Sequence, residues 1–292
     1  MGAPIAIELS ELHVHLEGTV RRETALELAR VHGEPAPPAY DYADLDGFFA
    51  AYFPVAGLMR TAADFERVIV EHASAMAAQG VAYAEASFNP ALHPGTDWLA
   101  GVSRGRDRAR SELGIEISWL VELVRGADSN DEAVEIALAT PGVVGLGLVG
   151  DETISSAALR PALARARSRG LRLMPHAGQT GGPEVIREAV EVLGAERIAH
   201  GVSALRDPAL CRLLAGAHVC LCVCPSSNRR IGLRPDYKAL ADAGIVLSVN
   251  TDDPAMVGTT LPAELDIAVD LGLDRTWLIA NAAHHRFGAV AT

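Results

Sequence analysis

The sequence is short of positive charge, has little cysteine and contains no long apolar run. Lysine and arginine number 25 against 37 aspartates and glutamates, giving a net charge of −12 over 292 residues. Such an acidic surface argues against nonspecific binding to nucleic acid or anionic membranes, though not against a small neutral nucleoside in a pocket. No apolar stretch reaches the roughly 18 residues that a membrane span needs. The segment Met1-Gly2-Ala3-Pro4-Ile5 lacks a basic n-region, a cleavable apolar core and a convincing myristoylation signal, so the expectation is a soluble cytoplasmic protein. Three of the four cysteines stand at 220, 222 and 224. Near neighbours on one strand do not easily bridge each other, which argues against a disulfide framework. No second cysteine cluster completes a thiolate metal site, so small buried side chains on a strand are the preferred reading. Internal repeats, low-complexity tracts and long linkers are missing too. So are the glycine-rich phosphate loops that would follow an early strand in a doubly wound fold.

What is present is an alternation. Apolar, β-rich runs lie near 6–14, 81–88, 115–122, 143–149, 171–175, 196–200, 217–224 and 245–250. Helical patterns fall between them at 63–79, 98–112, 129–139, 155–169, 183–193, 207–215, 235–243 and 261–271. The run Val143-Val144-Gly145-Leu146-Gly147-Leu148-Val149 is apolar throughout, as in parallel strands buried on both faces. Eight such strands alternating with helices predict an α/β fold, a (β/α)8 TIM barrel forming a single domain over 1–292. Residues 21–62 form a longer first insertion with Pro35, Pro37 and Pro38, then Tyr40, Tyr42, Phe48, Phe49, Tyr52 and Phe53. A helical insertion there would wall the mouth of the barrel.

Active sites of such barrels lie at the C-terminal ends of the strands. In this chain polar residues gather there: His13 and His15 after the first run, then Glu85, Gly150-Asp151-Glu152, His176, His200, Cys224-Pro225-Ser226-Ser227-Asn228 and Asp252-Asp253. His13 and His15 are two apart on a strand, so both imidazoles face one way. Imidazole and carboxylate together suit Zn²⁺ and leave room for a water. A lone His-x-His is a weak signal; His176 and an Asp after the last strand strengthen it. Ala177 and Gly178 let the backbone beside His176 approach a ligand closely. The side chains of adjacent Asp252 and Asp253 diverge, so one can hold metal while the other reaches substrate. A turn or cap before Pro254 is the rival account of that pair, outweighed by the run Leu247-Ser248-Val249-Asn250 that leads straight into it. His200 is the candidate to orient an attacking water. His284-His285 reads as helix surface, and Glu85 as a tie between neighbouring strands.

These stretches resemble the adenosine deaminase family, the purine-deaminating branch of the metal-dependent amidohydrolases. The matching segments are Glu11-Leu12-His13-Val14-His15-Leu16-Glu17-Gly18, Gly150-Asp151-Glu152-Thr153-Ile154, His176-Ala177-Gly178, Arg197-Ile198-Ala199-His200-Gly201-Val202, Cys224-Pro225-Ser226-Ser227-Asn228 and Asn250-Thr251-Asp252-Asp253-Pro254. The resemblance implies one Zn²⁺ per chain held by His13, His15, His176 and Asp252. It implies that His200 orients the attacking hydroxide, that Asp253 meets the purine at N7 and that the Gly150 backbone meets N3. His15 would also border the substrate, and Asp252 would also belong to the catalytic group. Glu17 stands where the family usually has an Asp that holds a sugar hydroxyl. With Thr180-Gly181-Gly182-Pro183, it points toward the bacterial branch acting on 6-aminodeoxyfutalosine. Small purine nucleosides are then the expected partners, with neither nucleic acid nor membrane.

Two departures matter. Gly147 occupies a position where the family often carries Asp. Gln179 occupies the position of the Glu that protonates N1 of the purine. An amide can donate a hydrogen bond but delivers no proton. General acid–base catalysis contributes about 10²–10⁴-fold, so turnover is expected to be low. An isosteric replacement made to trap substrate accounts for Gln179, and so does a natural change marking altered chemistry or lost activity; the intact ligand set favours the first. The expected reaction is hydrolytic deamination at C6 of an adenine-type nucleoside. The rivals are cleavage of a different C–N bond and a nucleoside-binding homologue with impaired catalysis.

Overall fold

The computed structural model describes residues 8–288. Eight parallel strands are hydrogen-bonded in sequence order: β1 (Leu9–His15), β2 (Val81–Phe88), β3 (Glu116–Val124), β4 (Val143–Val149), β5 (Arg172–Ala177), β6 (Arg197–His200), β7 (Cys220–Val223) and β8 (Val246–Val249). All eight predicted runs are strands, displaced by a few residues at their ends. The ring closes between β8 and β1. His15 N–H donates to the Asp252 carbonyl at 2.8 Å and Asp252 N–H to the His13 carbonyl at 3.0 Å. Side chains finish the seam where the backbone ladder stops. The Asn250 Oδ1 accepts from Leu12 N–H at 2.8 Å, and Glu11 Oε1 accepts from Thr251 N–H at 2.9 Å. This is the expected (β/α)8 barrel.

The helices α1 (Arg22–His32), α2 (Leu45–Ala56), α3 (Ala62–Ala78), α4 (Trp98–Leu113), α5 (Asn130–Ala139), α6 (Arg160–Ser168) and α7 (Pro183–Arg187) cover the first part of the ring. The rest is covered by α8 (Pro208–Gly216), α9 (Pro225–Arg230), α10 (Tyr237–Asp242), α11 (Pro254–Val257), α12 (Leu261–Asp270) and α13 (Arg275–His284). Local chemistry fixes several ends. Thr61 and Asp64 form a reciprocal capping box at the start of α3. The pattern expected at 183–193 is split, with α7 followed by a π-helical turn, Glu188–Val192. Helix α13 has no counterpart in the sequence expectation; its weakly amphipathic pattern gave little signal. Within the insertion, α2 carries Phe48, Phe49, Tyr52 and Phe53 over the barrel mouth. Its ring contacts continue from Tyr42 through Phe48 to Tyr52 at centroid spacings of 5.3–5.4 Å, so the proline-led loop and the helix form one aromatic wall.

The barrel floor corrects one expectation. Glu85 lies in the middle of β2, not at its catalytic end, which is Ser87-Phe88-Asn89. It also does not tie neighbouring strands. Its Oε2 accepts from Arg197 on β6, across the barrel, at 2.5 Å. Its Oε1 accepts from Tyr83 OH at 2.6 Å and from the backbone N–H of Phe287 and Gly288. The Phe287 ring stacks 3.6 Å under the Arg197 guanidinium. The chain's last described residues thus stopper the barrel with a buried ion pair under an aromatic lid. His284 is exposed at the end of α13 and His285 is half-buried, as expected of helix-surface residues. Removing one partner of a buried, hydrogen-bonded pair strands the other charge and costs about 3–5 kcal/mol. Arg197→Met is therefore expected to lower unfolding free energy by about 3 kcal/mol or more in a urea titration. A loss below about 1 kcal/mol would show that the pair does not hold the floor.

Candidate metal centre and active-site cavity

Each candidate ligand sits where a strand stops. His13 and His15 end β1, His176 is the penultimate residue of β5, and Asp252 follows β8. Their donor atoms converge. His176 Nε2 lies 3.2 Å from His13 Nε2 and 3.3 Å from His15 Nε2, and Asp252 Oδ1 lies 3.1 and 3.2 Å from the same two nitrogens. Four ligands on a tetrahedral zinc at about 2.0–2.1 Å sit roughly 3.3–3.4 Å from one another. The cage therefore has the right size for that ion. Three ring nitrogens cannot satisfy each other at these separations without sharing protons, but a cation satisfies all of them. Burial and the neighbouring imidazoles hold His176 well below its ordinary value, leaving it as a neutral base with a free lone pair.

Three of the four candidate ligands are backed from behind; His176 Nδ1 has no protein partner. His15 Nδ1 meets the Glu122 carboxylate of β3 at 2.6 Å, and Ser87 Oγ donates to the same oxygen at 2.7 Å. His13 Nδ1 faces the Cys222 carbonyl at 3.2 Å and Cys224 Sγ at 3.3 Å. Ser227 Oγ donates to Asp252 Oδ2 at 2.6 Å, which leaves Oδ1 aimed at the other ligands. The loop after β5 is gathered by one carboxylate: Glu152 accepts from the backbone N–H of Gly178, Gln179, Thr180 and Gly181 at 2.5–3.2 Å. Glu122, Glu152 and Ser227 carried no role in the sequence reading. Glu152 and Ser227 lay inside matched motifs, but nothing in a linear sequence shows which backbone a carboxylate will reach.

All four cysteines are free and buried. Sulfur of Cys224 and donor atoms of His200 and Asp252 lie within 4.8 Å of one another. Burial pushes the Cys224 thiol well above its ordinary value, so it stays protonated and poorly suited to ligate. That agrees with the preference for packing over thiolate chemistry.

The cage opens into a cavity of about 650 Å³. One wall is Tyr42, Phe48, Phe49, Tyr52 and Phe53; the other carries Gly150, Gln179, His200 and Asp253. No lysine or arginine lines it among the described residues. His200 Nε2 is 3.7 Å from Asp252 Oδ2, and burial pushes its imidazole down to about 3, so it is an unprotonated ring. Asp253 is buried beside Asp252, and burial together with that neighbouring charge holds its carboxyl well above the usual range. Its Oδ1 has no protein partner. Gln179 donates from Nε2 to Asn228 Oδ1 at 3.0 Å, and Asn228 donates in turn to Tyr237 OH at 2.9 Å. Glu17 does not line the cavity. It is fully buried in the turn after β1, where Oε1 accepts from Asn89 N–H and faces His93 Nε2, both at 3.1 Å. Asn89, whose backbone N–H binds Glu17, is on the cavity wall.

An eight-stranded parallel barrel with a histidine–aspartate cage at its C-terminal face is the architecture of a metal-dependent amidohydrolase. The chain belongs, more narrowly, to the adenosine deaminase family, whose profile matches residues 9–283. It is 34% identical to an aminodeoxyfutalosine deaminase of Acidothermus cellulolyticus, over 93% of this chain and 85% of that protein. It is 32% identical to an adenine deaminase of Rhodospirillum rubrum, over 87% of this chain and 82% of that protein. Among solved structures, the adenine deaminase of Arthrobacter aurescens aligns with a TM-score of 0.89 at 26% identity, covering 98% of this chain and 95% of that one.

If the four donors act as one site, metal-free protein titrated with zinc takes up one ion per chain. His13→Ala should lose that tight uptake while the barrel still melts cooperatively. An undiminished zinc content in the variant would remove His13 from the ligand set.

Proposed function

We propose that the chain is a zinc-dependent hydrolytic deaminase acting at C6 of an adenine-type nucleoside, adenosine or a 6-aminodeoxyfutalosine-like compound, and that Gln179 keeps its turnover low. The observation carrying this reading is the convergence of His13, His15, His176 and Asp252 at a largely apolar cavity without lysine or arginine. A zinc ion held by His13, His15, His176 and Asp252 would lower the pKa of a bound water to about 7. His200, an unprotonated imidazole beside Asp252, would orient that water by accepting a hydrogen bond from it. Asp253 presents its unpartnered carboxyl oxygen to the purine at N7, and the Gly150 backbone meets N3. Glu17 acts on the ligand through Asn89.

Charge and size narrow the substrate class. A nucleotide would bring a phosphate into a cavity lined by Glu122, Asp151, Glu152, Asp252 and Asp253 with no lysine or arginine to receive it. Neutral purines avoid that cost. Cavities of about 300–1,000 Å³ suit drug-sized ligands, and the aromatic wall offers a face for a substituent beyond the purine ring. The reading is supported by relatives named for deamination of aminodeoxyfutalosine and adenine.

Gln179 is the chain's own restriction. Its amide is tethered to Asn228 and has no proton to deliver to N1. Gln179→Glu is expected to raise kcat by about 10²–10⁴ with a much smaller change in KM, read as loss of adenine absorbance with adenosine, adenine and 6-aminodeoxyfutalosine. Should the variant deaminate none of them while retaining zinc, the deaminase reading fails and a binding role is left. Asp253 is tested through its neighbour. A Cβ on Gly18 would come within 2.0 Å of Asp253 Oδ1. Gly18→Ala should therefore keep its zinc yet bind a purine nucleoside about tenfold more weakly by calorimetry, the loss of roughly one hydrogen bond. Unaltered affinity would take Asp253 out of the binding surface.

A further inference from the structure

We infer that Glu122 is the carboxylate that sets His15 as a metal ligand, and that Gly147 on the adjacent strand is the vacancy that makes room for it. The inference rests on the ligand set proposed above. Its geometry is local. Glu122 is 3% exposed, and its Oε1 is shared by His15 Nδ1 at 2.6 Å and Ser87 Oγ at 2.7 Å. A carboxylate there keeps the ring proton on Nδ1. The lone pair then stays on Nε2, the atom that faces His176 and Asp252. None of the other imidazoles in the cage is backed by a carboxylate at Nδ1. His13 has a carbonyl and a thiol, and Nδ1 of both His176 and His200 has no partner. Among the described residues Glu122 is therefore the one carboxylate that backs a ligand ring at Nδ1.

The second half concerns space. Glu122 and Gly147 are direct partners in the β3–β4 ladder. A Cβ built on Gly147 would stand 3.3 Å from Glu122 Cγ, closer than ordinary side-chain contact. A side chain at 147 thus presses on Glu122, which would have to give by a few tenths of an ångström. Two carboxylates side by side in that dry corner would also repel. The rung holds one acid, supplied from β3.

The test measures zinc affinity by competition with a chromophoric chelator, together with unfolding of the metal-free chain. Glu122→Gln preserves shape and removes charge. It is expected to bind zinc about 10–100-fold more weakly than the unaltered chain, with the metal-free melting temperature little changed. Gly147→Asp alone should also weaken zinc binding, by crowding Glu122. The double variant Glu122→Ala/Gly147→Asp moves the acid one strand over and is expected to bind zinc at least about tenfold more tightly than Glu122→Ala alone. Zinc affinity in Glu122→Gln within twofold of the unaltered chain would overturn the role of Glu122. A double variant no tighter than Glu122→Ala would overturn the shared-space claim, even if the first result held. If the unaltered chain binds no zinc, the ligand set itself fails, and this inference fails with it.

Discussion

Closing the barrel and assembling the metal cage are one event in this molecule. The seam between β8 and β1 is made by the backbone of His13, His15 and Asp252, and the side chains of those residues are three of the four donors. Residues 237 and 239 apart in sequence are thus placed by two hydrogen bonds at 2.8 and 3.0 Å. The side-chain bonds of Asn250 and Glu11 extend the seam where parallel pairing alone is short. The fourth donor, His176, arrives from the opposite part of the ring on β5, whose own pairing to β6 is only two rungs long, His176 with Ala199 and Ala177 with His200. The ligand geometry depends on the ring being closed, and little else in the chain needs to know about the metal.

The cavity extends the same economy to charge. Its acids are used behind or beside the ligands, and its distal wall is aromatic. That division suits a neutral, flat ligand with one polar edge, because the polar groups fix orientation while apolar area supplies affinity. Gln179 changes what the polar edge offers. At this position a carboxyl could give up a proton during the reaction, whereas an amide only exchanges hydrogen bonds with the ligand and Asn228. Gln179 contacts Asn228 and is not part of the candidate ligand cage or the aromatic wall.

The strands were legible because each is a short apolar run buried on both sides, and the ligand motifs because each follows such a run directly. Helices α3, α4 and α12 were legible from their spacing and ends, within one residue at each terminus. What stayed hidden is long-range. The acid Glu122 is 107 residues from His15, and only the register of β2 and β3 brings them together through Ser87. Glu152 reads as part of a motif but works by collecting four N–H groups from a loop 26–29 residues away. Glu17 looks like a ligand contact because it follows the histidines, yet the turn after β1 folds it inward under Asn89. Glu85 was placed at the wrong end of its strand, since an acid in an apolar run gives no sign of which end of a barrel it faces.

Two of the three non-glycine residues with positive φ among the described residues are site residues; the third, His218, lies outside the site. His200 and Asp252 have φ of 65° and 64°, a left-handed conformation that residues with a Cβ seldom adopt. Each such residue costs on the order of 1–3 kcal/mol and persists only where its surroundings over-determine it. Both are over-determined here. Asp252 is held on either side by the β1 seam, and the turn after His200 by the bond from Gly201 N–H to the Ala177 carbonyl at 3.1 Å. The kinks turn each side chain out of the regular strand alternation at the point where β6 and β8 end. A relaxed, extended backbone would point the next side chain to the opposite face of the sheet. The strain is thus the cost of bringing a ligand and its neighbouring base to the same side of the ring, and the closed seam is what keeps it from relaxing.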